Sequence, residues 1–352
     1  MKILKENSPH IHKASSVKRM MIDVLIALAP VSIFAIIQYR FKYILPLLIS
    51  VVTMLLMESL FCLLTREKKL DGTKQPFKDN YTINNILTEL ISDIIYTLIL
   101  PSEIKWYIVL IGALFGIVVA KLLFGGLGGN IFNPAAAGRV FVMVCFGSAT
   151  AYLTVKGLNG VDVFASGTAL QAIKDGNFSY INWDTIKNLL IGTVPGSFGE
   201  VNKLAILAGG AYLIIRKSAD PRPMLSMIVT FMLVMLLAGA KMGSVNPIQY
   251  MLYQTLSGGL LFGAIFMVTD PITSPTTRPG RITFGLLIGV IAALIRLFGA
   301  YPEGVAFAIL IMNMFVPVID YYKIATNKYT WKHFLVWGVI LGIVSLVILL
   351  AL

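Results

Sequence analysis

Charge is scarce in this chain. Only 13% of its 352 residues are Asp, Glu, Lys or Arg, against about a quarter in a soluble domain, while 57% are hydrophobic. With a mean hydropathy of +0.82, this balance excludes a soluble protein of any architecture and predicts an all-α polytopic membrane protein. Cysteine is nearly absent: Cys62 and Cys145 lie far apart in apolar runs, so neither a CxxC metal site nor a disulfide framework is written, and no iron–sulfur cluster is expected. Three histidines, His10, His12 and His333, come without an HExxH or a His/Cys constellation, and no metal site is predicted. A GxGxxG fingerprint inside a soluble strand–helix unit is missing too, which excludes a dinucleotide-binding domain. The surplus of 29 basic over 17 acidic residues, +12, reads in such a chain as a topology signal and not as a nucleic-acid surface.

What is there is apolar run after apolar run. Candidate spans fall at Met20–Ile37, Ile44–Leu64, Asn84–Leu100, Tyr107–Phe124, Ala135–Leu153, Leu204–Ile215, Met224–Ala240, Met251–Val268, Ile282–Leu297, Val305–Ile319 and His333–Ala351. A single membrane domain over residues 1–352 with about ten or eleven helices is expected. The first run is read as a retained anchor, since no small-residue cleavage site follows it. Placing residues 1–19 in the cytoplasm puts most of the Lys and Arg on that side, including Lys18, Arg19, Lys121, Lys217, Arg222 and Arg281. The longest polar stretch, 154–203, then faces outward.

Three acids stand inside apparent spans: Glu58, Glu89 and Asp93. Glu89 and Asp93 are four apart, so a helix puts both on one face. A carboxylate in hydrocarbon costs about 2.5 to 3.5 kcal/mol, which points such groups at a bundle interior or an ion route; a short span with both acids at its wet end is the other reading. Two runs break the helical pattern: Phe124-Gly125-Gly126-Leu127-Gly128-Gly129-Asn130-Ile131-Phe132-Asn133-Pro134, and Thr269-Asp270-Pro271 through Gly280-Arg281. Irregular backbone at membrane depth survives only where protein or water satisfies it, so both are candidate binding elements. Asn133-Pro134 through Gly138-Arg139 and Ser274-Pro275 through Gly280-Arg281 both end in Gly-Arg before an apolar helix, an echo that suggests an internal repeat.

Taken in order, Ser8-Pro9-His10, the Phe-Gly-Gly-Leu-Gly and Asn-Pro-Ala run, Pro195-Gly196-Ser197-Phe198-Gly199-Glu200, Thr269-Asp270-Pro271, Ile295-Arg296-Leu297-Phe298-Gly299 and Asn313 to Asp320 are familiar. The set resembles the RnfD/NqrB family, which joins the D subunit of the Rnf complex to the B subunit of the sodium-pumping NADH:quinone reductase. Only seven residues precede Ser8, where the reductase member usually has a longer extension, so the Rnf member is favoured. The resemblance implies a component of the bacterial cytoplasmic (inner) membrane, within a complex that moves electrons between ferredoxin and NAD and transports Na⁺ or H⁺. It implies partner Rnf subunits, a flavin transferase for maturation, and FMN joined through its phosphate to a threonine of the outward loop.

The family pattern there is Ser-Gly-Ala-Thr, closely preceded by Asp. This chain reads Asp162, then Ala165-Ser166-Gly167-Thr168-Ala169-Leu170, with glycine in place of the alanine before threonine. Thr168 is carried over as the attachment residue, with Asp162, Ser166, Gly167 and Leu170 supporting the loop. Gly126, Gly128, Asn133, Arg139, Ser197, Glu200, Thr269 and Asp270 are expected to line a flavin site or a path. A second, noncovalent flavin such as riboflavin is compatible with the family but is not located by the sequence. The run 333–351 departs from the family and reads as an added C-terminal helix. Without the resemblance, a channel or transporter for a small solute, needing no flavin, fits the same composition and broken helices, and a purely structural component is a third reading.

Overall fold

The computed structural model describes residues 16–65, 77, 81–147, 178, 181–192, 196–200, 202–243, 246–299, 304–321 and 326–352. The attachment residue Thr168 and its neighbours Asp162, Ser166, Gly167 and Leu170 lie outside them. Among the described residues all regular structure is helical: α1 (Val17–Tyr39), α2 (Phe41–Leu64), α3 (Ile83–Leu98), α4 (Trp106–Ala120), α5 (Pro134–Cys145), α6 (Trp183–Ile191), α7 (Lys203–Ile215), α8 (Pro221–Met242), α9 (Pro247–Leu256), α10 (Leu260–Met267), α11 (Arg278–Phe298), α12 (Val305–Ile319) and α13 (Trp331–Ala351).

Helix starts follow the local chemistry. Asn133, Asp220 and Asn246 each accept a backbone N–H of the first turn, and each is followed by Pro, which has no N–H to leave orphaned and a φ already set for a helix. Among the described residues six helices are long and apolar enough to cross a membrane: α1, α2, α4 with its 3-10 extension to Phe124, α8, α11 and α13. The run Met251–Val268, expected as one span, is instead a pair, α9 and α10, bent by 62° at Ser257–Gly259. The second half of α10, Gly263–Met267, is a π-helix.

Among the described residues packing comes in two matching sets of five units, the bent pair α9–α10 standing as one unit of the second. In the first, α2 packs on α3 and α4, α4 on α5, and α1 on α3; in the second, α8 packs on α9 and α11, α11 on α12, and α7 on α10. The Gly-Arg echo belongs to a different register, since Arg139 lies on the fifth unit of its set and Arg281, with α9–α10 counted as one, on the fourth. Glycine permits the closest approaches. A Cβ on Gly116 would stand 2.6 Å from the Pro134 carbonyl, and one on Gly285 only 2.1 Å from that of Pro223, so α4 meets α5 and α11 meets α8 nearly backbone to backbone. The sets join through α1 with α7 and α5 with α12. There Asp23, 2% exposed, accepts from Tyr212, Arg216 and Ser218.

Candidate functional site

The intramembrane acids converge. Glu58 on α2, and Glu89 and Asp93 on α3, are each fully buried, so the spacing of four does place both α3 acids on an inward face. Between them lies Lys121, 1% exposed, at the end of α4. Its ammonium bonds Glu89 and stands 3.4 Å from Glu58 Oε1. Asn85 Nδ2 donates to the same Glu58 oxygen at 2.9 Å, and Asn85 Oδ1 accepts from the Thr82 hydroxyl at 2.7 Å. One turn along α3, both oxygens of Asp93 are buried without a hydrogen-bond partner, as are Glu58 Oε2 and Glu89 Oε2. Three carboxylates thus face one fixed cation, and an unmatched buried carboxylate is costly enough to attract a proton or a metal cation.

Lys121 also lines a cavity of about 80 Å³, with Thr88, Ser92, Asn130, Asn133, Thr269 and Asp270 among its polar walls. Such a volume holds several waters. It is framed by both broken runs, and one side chain ties them together. Asn313 of α12, 1% exposed, accepts from the Asn133 N–H at 3.3 Å and donates to the Thr273 carbonyl at 3.0 Å. Asp270 is turned inward on its own loop, accepting from the Ile272 N–H at 3.2 Å and the Thr273 hydroxyl at 2.9 Å.

Arg139 and Glu200 meet elsewhere, in a smaller cavity of about 30 Å³ with Gly259, Met143 and Val305. Ser197 is buried in a bridge to Pro101, and Phe198 N–H donates to the Leu100 carbonyl at 3.2 Å, which pins this end of the polar stretch to the end of α3. Gly126 and Gly128 line neither cavity; their φ values of 83° and 85° shape the turn after α4, a backbone state that favours glycine. Lys121 and Asn313 do not stand out in the sequence as site residues. Their only signal there is a lone cation and a lone amide closing or interrupting apolar runs.

The profile of the NQR2, RnfD, RnfE family matches residues 4–329. The chain belongs to that family. It is 32% identical over 322 residues to the D subunit of the proton-translocating ferredoxin:NAD(+) oxidoreductase complex of Clostridium ljungdahlii, covering 89% of this chain and 92% of that one. To the D subunit of the ion-translocating oxidoreductase complex of Ectopseudomonas mendocina it is 33% identical over 334 residues, 90% of this chain and 92% of the relative. Against the B subunit of the Na(+)-translocating NADH-quinone reductase of Chromohalobacter salexigens, identity is 37% over 245 residues, 67% of this chain but only 58% of that relative's length. These family members are subunits of ion-translocating oxidoreductase complexes.

Proposed function

We propose that this chain is the flavin-carrying membrane subunit of a redox-driven ion pump of the Rnf kind, and that its α2–α3–α4 charge cluster is part of the ion path. The observation that carries the reading is the buried trio Glu58, Glu89 and Asp93, gathered around Lys121 beside a polar cavity. A structural ion pair needs one acid per cation; here two more are buried at a cost that stability does not explain. The coupling ion, Na⁺ or H⁺, passes by exchanging onto these oxygens.

Thr168 is the tether for FMN, an assignment that rests on the Asp162 to Leu170 motif. The flavin supplies electron transfer, and the protein fixes its position. The end of the same polar stretch is held by the Phe198–Leu100 hydrogen bond and by Tyr39, whose hydroxyl donates to the Gly196 carbonyl at 3.2 Å, a rigid edge against which a flavin-bearing loop can be ordered. The other subunits of the complex and a flavin transferase are the partners, and the cytoplasmic membrane is the location, with the N-terminus inside and the 154–203 stretch outside.

Two measurements test this. Denatured chain, made with a flavin transferase, fluoresces in the gel and gains one FMN on the peptide holding Thr168; a dark, unmodified chain overturns the flavin reading and leaves a transporter built on the same helices. In vesicles carrying the assembled complex, Glu89→Gln and Asp93→Asn lose ion transport. Undiminished pumping in both variants removes the ion path from this cluster.

A further inference from the structure

The turn between α7 and α8 holds a second concavity, of about 430 Å³, which adjoins the cavity beside Lys121 through Met20, Ser218, Ala219, Thr269 and Pro271 but has its own basic lining. Met20, Ile214 and Pro223 give it apolar walls, and Lys217, Arg222 and Arg281 give it charge. One acid faces them. Asp220 Oδ2 accepts from Arg222 Nη1 at 2.9 Å and from Arg281 Nη1, and its other oxygen caps α8 through the Arg222 N–H. Three cations less one carboxylate leave the pocket two positive charges in surplus. Among the described residues, Lys217 Nζ and Arg222 Nε and Nη2 have no acceptor.

Lys217 closes α7: its φ of 57°, with its own N–H bonded to the Ile214 carbonyl and the Ser218 N–H to the Leu213 carbonyl, is a helix-terminating turn that sets this side chain at the pocket. Beside the lining residues Ile214 and Pro223 in the chain, Ile215 is 78% exposed and Leu225 52%, so exposed apolar side chains stand next to the basic pocket. Retaining cations on one side during insertion depends on their number and needs no convergence on a shared cavity. A phosphate with apolar chains attached fits both the charge and the flanks.

We propose that this pocket binds the phosphate of an anionic phospholipid, whose acyl chains lie along Ile215 and Leu225. Lys217 and Arg222 are the phosphate ligands. Arg281 holds Asp220 and the Pro275 carbonyl and so keeps Arg222 in place.

The test is lipid retention by the complete, detergent-solubilised complex, read by mass spectrometry, with Lys217→Gln and Arg222→Gln alone and together, and Arg222→Lys as the conservative variant. Each lost charge lowers retained cardiolipin or phosphatidylglycerol about fivefold, while Arg222→Lys retains it. On delipidated parent complex, added cardiolipin raises the melting temperature in a salt-sensitive way, and phosphatidylcholine or inorganic phosphate does not. Equal lipid retention in the double variant overturns the proposal. So does equal stabilisation by inorganic phosphate, or loss of a neighbouring subunit from the double variant with its lipid unchanged, since the pocket would then serve a free anion or an acidic protein segment.

Discussion

The Lys121 ammonium, delivered by the end of α4, stands 3.4 Å from the Glu58 carboxylate of α2 while it bonds Glu89 of α3, so one cation locks three helices at a single point. Removing it leaves buried carboxylates with no counter-charge, and breaking a buried pair from one side costs about 3 to 5 kcal/mol. Lys121→Met is therefore expected to lower the melting temperature of the complex sharply. Adding Glu89→Gln should recover part of that loss, a coupling that a double-mutant cycle measures. Additive losses would mean that the two groups do not sense one another.

Asp93 gives the opposite signature. Neither of its oxygens has a partner to lose, so Asp93→Asn should change stability by less than about 1 kcal/mol. Transport should nonetheless fall by about tenfold, equivalent to roughly 1.4 kcal/mol on the barrier. Thermal melts and vesicle transport on the same preparation separate the two quantities, and a variant that melts early but pumps normally would mark Asp93 as structural.

The contact between α11 and α8 has no room for a methyl group. With a Cβ on Gly285 only 2.1 Å from the Pro223 carbonyl, Gly285→Ala must separate the helices, at a cost of about 1 to 3 kcal/mol. Gly338 of α13, with nothing within 4 Å of its would-be Cβ, is the control, and Gly338→Ala should be neutral or slightly stabilising. Melting temperatures of the two variants check the contrast.

Asp220 makes stability depend on pH. Burial raises its pKa, but the Arg222 N–H and the Arg281 and Arg222 guanidiniums outweigh this and hold the carboxyl below its ordinary 3.8. A depressed folded value means that the contribution is fully present above about 3.8 and is lost as pH falls through the folded value. Asp220→Asn should therefore melt below the parent at neutral pH, and the gap should close in acid. A gap that stays constant down the acid limb would deny the linkage.

The helical class is legible in the sequence because hydrocarbon demands long apolar runs, and Glu89 with Asp93 are legible as a pair because helical spacing is fixed. Their partner Glu58 can be flagged but not placed, since nothing in a separation of 31 residues dictates that α2 and α3 face each other at that depth. Lys121 reads as a topology marker because a single cation at the end of an apolar run looks the same whether it meets headgroups or buried acids. The bend at Ser257–Gly259 is hidden for a tertiary reason. Arg296 of α11 bonds the Gln254 carbonyl and Lys203 of α7 donates to the Gly258 carbonyl at 3.0 Å, so distant cations satisfy a break that the local apolar run conceals.

The last helix stands apart from the paired sets. The family match ends at residue 329, and α13 begins at Trp331. It rests on α8 and α11, with Trp337 Nε1 donating to the Thr283 hydroxyl at 2.9 Å and Val344 and Ile348 turned inward. Phe334, Val339, Ile343, Leu346 and Leu350 point outward. Among the described residues α13 thus covers part of α8 and α11, the helices that match α2 and α4 of the first set. Whatever docks beside α8 and α11 therefore meets the outward apolar row of α13 in place of those two helices.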